Sequence, residues 1–409
     1  MRERFNTTFR ALRSRNFRLF LFGQGISVIG TWMQRVALSW LVYKLTSSAL
    51  LLGVVNFASY IPLLVVSPIA GVWIDRYPKI KIVIATQILS MIQALLLAFL
   101  VLSGKIEIWH VIILSLFLGV INAFDVPGRQ SSYINLIDNK EDLPNAIALN
   151  SVAFHLSRFI GPSVAGVIIA AFSEGICFLV NGLSYIPVII SLFMIRAVDD
   201  AKSGEGKHAL EELKDGFRYI SAKPALKNIL LLVAAVSFFG WSYTILLPVF
   251  AKDILGGGAL TFGFLNSATA VGAVVGAFYA ASRKNLFGLE RRAVFFASVF
   301  GVAIVLFAFS KMLWFSMIFV ALSGLGAMLH NTSANSYVQT SVNDKTRGRV
   351  MSIYAFGHQG LIPVGSLLLG WAASSYGAPI AMMAAGIFCI ISILFLGPRI
   401  VTSPAKNSS

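Results

Sequence analysis

Charged residues are scarce in this chain. Lys, Arg, Asp and Glu make up 12% of its 409 residues, about half of the 25% typical of soluble domains. A soluble protein of this length cannot cover its surface with so few charges, so a soluble globular enzyme and a disordered chain are both excluded. Acid is scarcer than base, with 17 Asp+Glu against 33 Lys+Arg. Cysteine is nearly missing: Cys177 and Cys389 both sit inside apolar runs, which excludes a disulfide scaffold and offers no thiolate metal site. Five histidines and no clustered acids supply neither a metal set nor a nucleophile with an acid–base pair. The chain is therefore read as a non-enzyme that calls for no metal and no cofactor. What is abundant is apolar surface, 57% of residues and a mean hydropathy of +0.80. That composition specifies a helical protein that crosses a bilayer many times. The net charge of +16 would by itself suggest a nucleic-acid partner; its distribution argues for none.

A bilayer core about 30 Å thick needs roughly 20 apolar residues per helix. Strands are excluded, because transmembrane barrels show short alternating segments instead of long apolar runs. Twelve spans are read: 18–43, 49–74, 80–102, 107–126, 145–173, 175–195, 225–251, 259–282, 291–310, 312–332, 346–375 and 377–397. The first 18 residues carry six Arg and no apolar run, and the hydrophobic stretch after them is too long for a signal-peptide core, so no cleaved leader is expected. With both termini cytoplasmic, 27 of the 33 Lys and Arg fall on the inner side. Only Lys44, Lys105, Lys252 and Lys311 fall outside, and Arg35 and Arg158 lie within spans. That asymmetry is the positive-inside pattern. Between spans 6 and 7, residues 196–224 hold the largest charge cluster. Within it Leu210, Leu213, Phe217 and Ile220 recur at helical spacing, which predicts an amphipathic helix on the cytoplasmic surface.

The chain also resembles itself. At an offset of 204, Ser132-Tyr133 aligns with Ser336-Tyr337, Gly161 with Gly365 and Gly166 with Gly370. One residue of slip aligns Gly119 with Gly324 and Asp125 with His330. Ala49-Leu50 and Gly53 match Ala259-Leu260 and Gly263 at an offset of 210. The repeat implies two six-span halves in the same orientation, residues 1–195 and 225–409 with 196–224 as linker, a plan that recurs in transporters.

Several stretches then point to a family. Gly71-Val72-Trp73-Ile74-Asp75-Arg76, with Lys79 close behind, resembles the signature loop of the major facilitator superfamily. Phe124-Asp125-Val126-Pro127-Gly128-Arg129-Gln130, read as a turn after span 4, is similar to the subgroup holding the enterobactin exporter and related drug-efflux permeases. So are Asn145–Ser151, Arg158-Phe159-Ile160-Gly161-Pro162, Gly30–Arg35 and Trp40–Tyr43. The chain departs from the pattern in places, among them Ser157 where glycine is usual and a loop after Gly276 that lacks the Asp-Arg pair. Pro78 stands where glycine is common, His155 where asparagine is expected, and span 4 as drawn lacks the arginine of many proton-driven members.

The resemblance implies a cytoplasmic gate of Gly71, Asp75, Arg76, Lys79 and Asp125. In it Asp75 would accept from the amino-terminal end of span 11, near Arg347-Gly348, and Lys79 would pair with Asp125. The alternative is a solvated loop. A charge in mid-span costs about 2.5–3.5 kcal/mol on insertion scales, so Arg35 and Arg158 should meet a wet cavity or a partner. Asn150, Phe154 and Arg158 share one face of span 5, bordered by His155, and Gln24, Ser27, Thr31 and Gln34 make a polar stripe that ends at Arg35. Thr31, Gln34, Arg35, Asn150, Phe154, His155, Arg158 and Trp241 are expected to line a substrate cavity that attracts an anionic or polar solute. The alternative is buried arginine held by backbone groups. Gly161, Pro162 and Gly166, and in span 8 Gly272 and Gly276, let helices approach closely. Asp75, Asp125, His155, His330 and His358 are the titratable candidates for coupling. The resulting expectation is a monomeric exporter in a bacterial cytoplasmic membrane, moving amphipathic small molecules (a siderophore or drugs) by alternating access. By family resemblance it is coupled to protons. An importer or a lysophospholipid transporter on the same fold is the alternative.

Overall fold

The computed structural model describes residues 9–195, 209–283 and 288–402. Every regular element among them is helical. Besides short 3-10 turns at Arg10–Arg13 and Lys140–Asp142, they are in chain order α1 (Arg15–Thr46), α2 (Ala49–Arg76), α3 (Lys79–Leu102), α4 (Ile108–Leu136), α5 (Leu143–Ala171), α6 (Glu174–Met194), α7 (Ala209–Ser221), α8 (Pro224–Ile254), α9 (Ala259–Ser282), α10 (Leu289–Phe309), α11 (Leu313–Ser341), α12 (Asp344–Ala355), α13 (Ile362–Tyr376) and α14 (Ala378–Val401). Long helices are what an apolar chain must form in lipid, since each closes its own backbone hydrogen bonds.

Ten of them are long and apolar enough to cross a membrane, all but α1, α7, α12 and α13. The exceptions have physical reasons. The 32 residues of α1 give it the length, but Gln24, Ser27, Thr31, Gln34 and Arg35 dilute its apolar character. The run read as span 11 is interrupted by a π-type turn at Phe356–Gly360, so α12 and α13 have only 12 and 15 residues. Helix α8 is also irregular, with π-type turns at Val236–Gly240 and Phe250–Ile254 around a 3-10 stretch at Trp241–Leu246.

Two helices overrun their expected ends. Helix α4 continues to Leu136 and α11 to Ser341, ten and nine residues beyond the sequence reading. The expected turn at Phe124–Gln130 is therefore helix. Pro127 lies inside it, and the Gly128 carbonyl accepts from Ser131 and Ser132 hydroxyls at 3.1 and 2.7 Å. A proline removes one ladder bond but need not end a helix that is supported by its neighbours. As a result α4 does contain an arginine, Arg129, and Asp125 lies within the helix and not at its end.

The chain divides into two units, one of residues 1–46 with 58–205 and one of 47–57 with 206–409. The division passes through α2, whose opening turns belong with the second unit. There the Leu50 amide donates to Ser374 Oγ at 2.9 Å and Asn56 Nδ2 to Ser366 Oγ at 2.7 Å. In the first unit α1 packs on α5 and α6, and α3 on α4 and α6, around Phe17, Phe20, Val83, Leu136, Tyr185 and Val188. In the second, α11 packs on α9 and α10, and α10 on α14. Close approaches there are α13 on α8, where a Cβ on Gly365 would stand 1.6 Å from Phe238 O, and α9 on α11, where one on Gly272 would stand 1.8 Å from Ala321 O and one on Gly324 2.0 Å from Thr269 O. Gly276 lies one turn further along the same contact.

Positions aligned by the internal repeat play parallel parts inside their own units. Gly119 meets α2 at Ser59 O, and Gly324 meets α9 at Thr269 O. Gly161 meets α1 at Trp32 and Ile29, and Gly365 meets α8 at Phe238. Asp125 bonds to α3, and His330 Nδ1 lies 2.8 Å from Ala293 O of α10.

Helix α7 covers the expected amphipathic segment. Phe217 is exposed and Ile220 buried, while the side chains of Leu210 and Leu213 lie outside the described residues. It packs on α12, with Asp215 and Arg349 paired at 3.2 Å and Gly216 against Ile353 and Arg349.

Candidate functional site

Helix α1 sorts its polar residues onto two sides. Gln24, Ser27 and Gln34 are buried. Gln34 Nε2 donates to Gln93 Oε1 of α3 at 3.0 Å, and Asn181 Nδ2 of α6 donates to Gln34 Oε1 at 2.7 Å. Gln93 continues the chain to Leu114 O of α4 at 3.2 Å. This network ties four helices together, each such bond contributing about 0.6–2 kcal/mol. It corrects the sequence reading of Gln34, whose side chain is drawn into the packed interior and does not line an open surface. Thr31 is half-buried and returns its hydroxyl to Ser27 O at 3.0 Å.

Arg35, one residue on and so about 100° around the helix, is exposed. Its guanidinium carbon stands 4.6 Å from the ring centre of Trp32. Arg158 of α5 approaches the same indole, at 5.4 Å. Phe154, one turn before Arg158, meets Trp32 edge-on at 5.7 Å, and His155 meets Phe154 at 5.7 Å. Two cations and a second ring therefore gather on one tryptophan, from two helices. Asn150 is half-buried one turn before Phe154.

The seat for Trp32 is made by the small residues of α5. A Cβ on Gly161 would stand 2.5 Å from Trp32 Cβ and 2.9 Å from Ile29 O, so only glycine lets α1 approach this closely. Pro162 and Gly166 are buried beside it, and Ser157 hydrogen-bonds back to Ala153 O at 2.8 Å. In the sequence Trp32 is only one aromatic among many. Its place three residues before Arg35, on a helix with no acid, is the available signal.

The second unit has an aromatic counterpart. Phe154 plus the repeat offset of 204 is His358, and His358 meets Trp241 edge-on at 6.3 Å. Ser237 Oγ lies 3.2 Å from His358 Nδ1, Tyr354 lies 6.1 Å from its ring, and the Tyr354 hydroxyl bonds to Asn331. The group sits where the π-type turns of α8 and of the α12–α13 junction meet, and such turns recur at functional sites. Trp241 thus falls in a cluster of its own unit.

The gate residues divide. Asp125 is buried, but its partners are Arg129 Nε at 2.7 Å, Thr86 at 2.9 Å and Gln87 at 2.7 Å. The expected Lys79 pair is replaced because the extended α4 places Arg129 one turn from the carboxylate. Gly71 has open space around it, Arg76 is exposed, and Lys79 opens α3 half-buried. The side chain of Asp75 lies outside the described residues. Among those residues no group of His, Cys, Asp and Glu could hold a metal ion.

Residues 6–407 match the family described as transmembrane secretion effectors. The chain is 28% identical to the staphyloferrin A transporter of Staphylococcus aureus, over 90% of this chain and 92% of that one. It is 25% identical to the multidrug efflux pump Tap of Mycolicibacterium fortuitum, over 85% and 88%. Among solved structures it resembles a bacterial homolog of the human lysosomal transporter Spinster, inward-facing and unoccupied, with a TM-score of 0.74 at 15% identity over 95% of this chain and 97% of the other.

Proposed function

Because the chain belongs to the transmembrane secretion effector family of major facilitator transporters, we propose that it exports amphipathic small molecules, a siderophore or drugs, across a bacterial cytoplasmic membrane. The observation that carries this reading is the Trp32 cluster, two rings and two guanidiniums within the middle of α1 and α5. A bilayer-crossing helix keeps a charge there only for a wet or partnered surface. An aromatic wall with a few polar groups suits varied greasy solutes. The names of the siderophore and drug relatives support the substrate class.

Transport proceeds by alternating access. We count twelve spans, adding α1 and the broken α12–α13 pair to the ten apolar helices. Both additions carry polar or irregular segments of the kind that transporters place at substrate sites. Export is coupled to protons, with Asp75, Asp125, His155, His330 and His358 as the candidate titratable groups.

Cells with and without the gene are compared for what they retain. Retention of one iron-binding metabolite by the deletion strain supports siderophore export, and retention of unrelated dyes supports multidrug efflux. Faster loss of solute from the deletion strain, or uptake that needs the gene, overturns export in favour of import. Collapsing the pH gradient of sealed vesicles should stop transport; unchanged flux would remove the proton from the scheme.

A further inference from the structure

We propose that Arg35, Trp32 and Arg158 form a carboxylate subsite, so that the preferred cargo is an amphipathic anion. The inference rests on the export reading and deepens it. Both guanidinium carbons lie over one indole, at 4.6 and 5.4 Å from its centre. A guanidinium beside an aromatic ring has five N–H donors in its plane, more than a cation–π contact uses. Two guanidiniums at one indole make its surroundings positive, and a carboxylate bound there lowers that potential while accepting charge-assisted hydrogen bonds. Neither α1 nor α5 contains an Asp or Glu.

The site is open enough to receive a solute. Arg35 is exposed, Arg158 half-buried, and Phe154 is 44% exposed beside the same indole. Phe154 offers the apolar body of the solute a ring next to the cationic edge. The depth argues against a lipid headgroup. Arg35 stands 11 residues before the end of α1 at Thr46, about 16 Å at 1.5 Å per residue, well inside the hydrocarbon. Trp32 is thus the positioning residue, and the two arginines are the contact residues.

The purified full-length chain in phosphatidylcholine nanodiscs is titrated with two dyes of similar body, anionic carboxyfluorescein and cationic rhodamine 6G. Wild type should bind the anion tighter, and the double variant R35Q/R158Q should lose about tenfold in affinity for it, the loss of one charge-assisted contact or more. Its affinity for the cation should be unchanged or higher. R35K/R158K, which keeps charge but not the planar fork, should fall between them and serves if the glutamine variant does not fold. Trp32→Leu should weaken the anion preference although no charge is removed. Equal binding of both dyes by wild type, or full anion preference in R35Q/R158Q, overturns the proposal. So does anionic phospholipid that copurifies with wild type and is lost from R35Q/R158Q while dye preference is absent. The two readings fail separately: Arg-dependent anion binding without outward transport sinks export alone, and export with no charge preference sinks the subsite alone.

Discussion

Gly161 shows how much of a site can depend on an absent side chain. With Trp32 Cβ only 2.5 Å from where a methyl would sit, and Ile29 O at 2.9 Å, Gly161→Ala must push α1 and α5 apart. Overpacking of this kind costs about 1–3 kcal/mol. Thermal unfolding of the purified variant should show a lowered midpoint, with efflux reduced further than expression; an unchanged midpoint would mean that the two helices are not held by this contact. The Gln34–Asn181 pair is a second residue-scale test. Asn181→Leu leaves Gln34 Oε1 without its donor in a buried place, at a cost of about 1–3 kcal/mol. The double variant Q34L/N181L should cost less than the sum of the singles, because the groups share one bond. Simple additivity would argue that the bond contributes nothing. At this scale the sequence is only partly legible. The polar residues of α1 can be read off, but a stripe at helical spacing does not say which edge of it turns inward. The 100° between Gln34 and Arg35 decides that.

Among the elements, α7 and α12 are joined by one exposed pair, Asp215 with Arg349 at 3.2 Å, and by the close seat of Gly216. An exposed ion pair adds about 0–1 kcal/mol to stability. Asp215→Arg should therefore leave the unfolding midpoint nearly unchanged. Its effect should appear in transport rate, since α12 leads into the π-type turn at Phe356–Gly360. Exchanging both charges, D215R with R349D, should restore the rate. A rate that is indifferent to both variants would show that α7 is only a connector. The amphipathic period of α7 can be read from its sequence because its apolar residues recur at helical spacing among charges. The breaks in α8 and span 11 cannot. Val236–Gly240 reads as ordinary apolar helix, and the Gly, His and Gln of Phe356–Gly360 lower hydropathy over too few residues to split a long apolar run into two. The overrun of α4 is hidden by Pro127-Gly128, a pair that marks turns in water and is tolerated among packed helices.

On the scale of the whole molecule, the placement of charge is the strongest statement the sequence makes. Of the 33 Lys and Arg, 27 fall on one side of the span map. Alkaline phosphatase fused after Lys44, Lys105, Lys252 or Lys311 should be active, and fused after Lys81, Lys140 or Lys345 inactive; an active fusion at an inner site would break the topology. Apolar period and charge bias are enough for the helical class and most of the helix positions. The grouping of helices is less accessible. The opening turns of α2 belong with the second unit, a long-range choice made by Ser366 and Ser374 that no local pattern announces.

The polar interior of α1 has a consequence for the order of synthesis. Its Gln34 is complete only when Gln93 and Asn181 are in place, 59 and 147 residues later. At ribosomal speeds of about 5–20 residues per second, the second partner is made roughly 7–30 s later. Through that interval the least apolar of the long helices must be kept in or beside the insertion machinery with the Gln34 amide unsatisfied. A helix made before both of its partners thus settles only after the later of them is made. Q34L should insert sooner than wild type in a timed translation with membranes, even where the finished variant is the less stable protein.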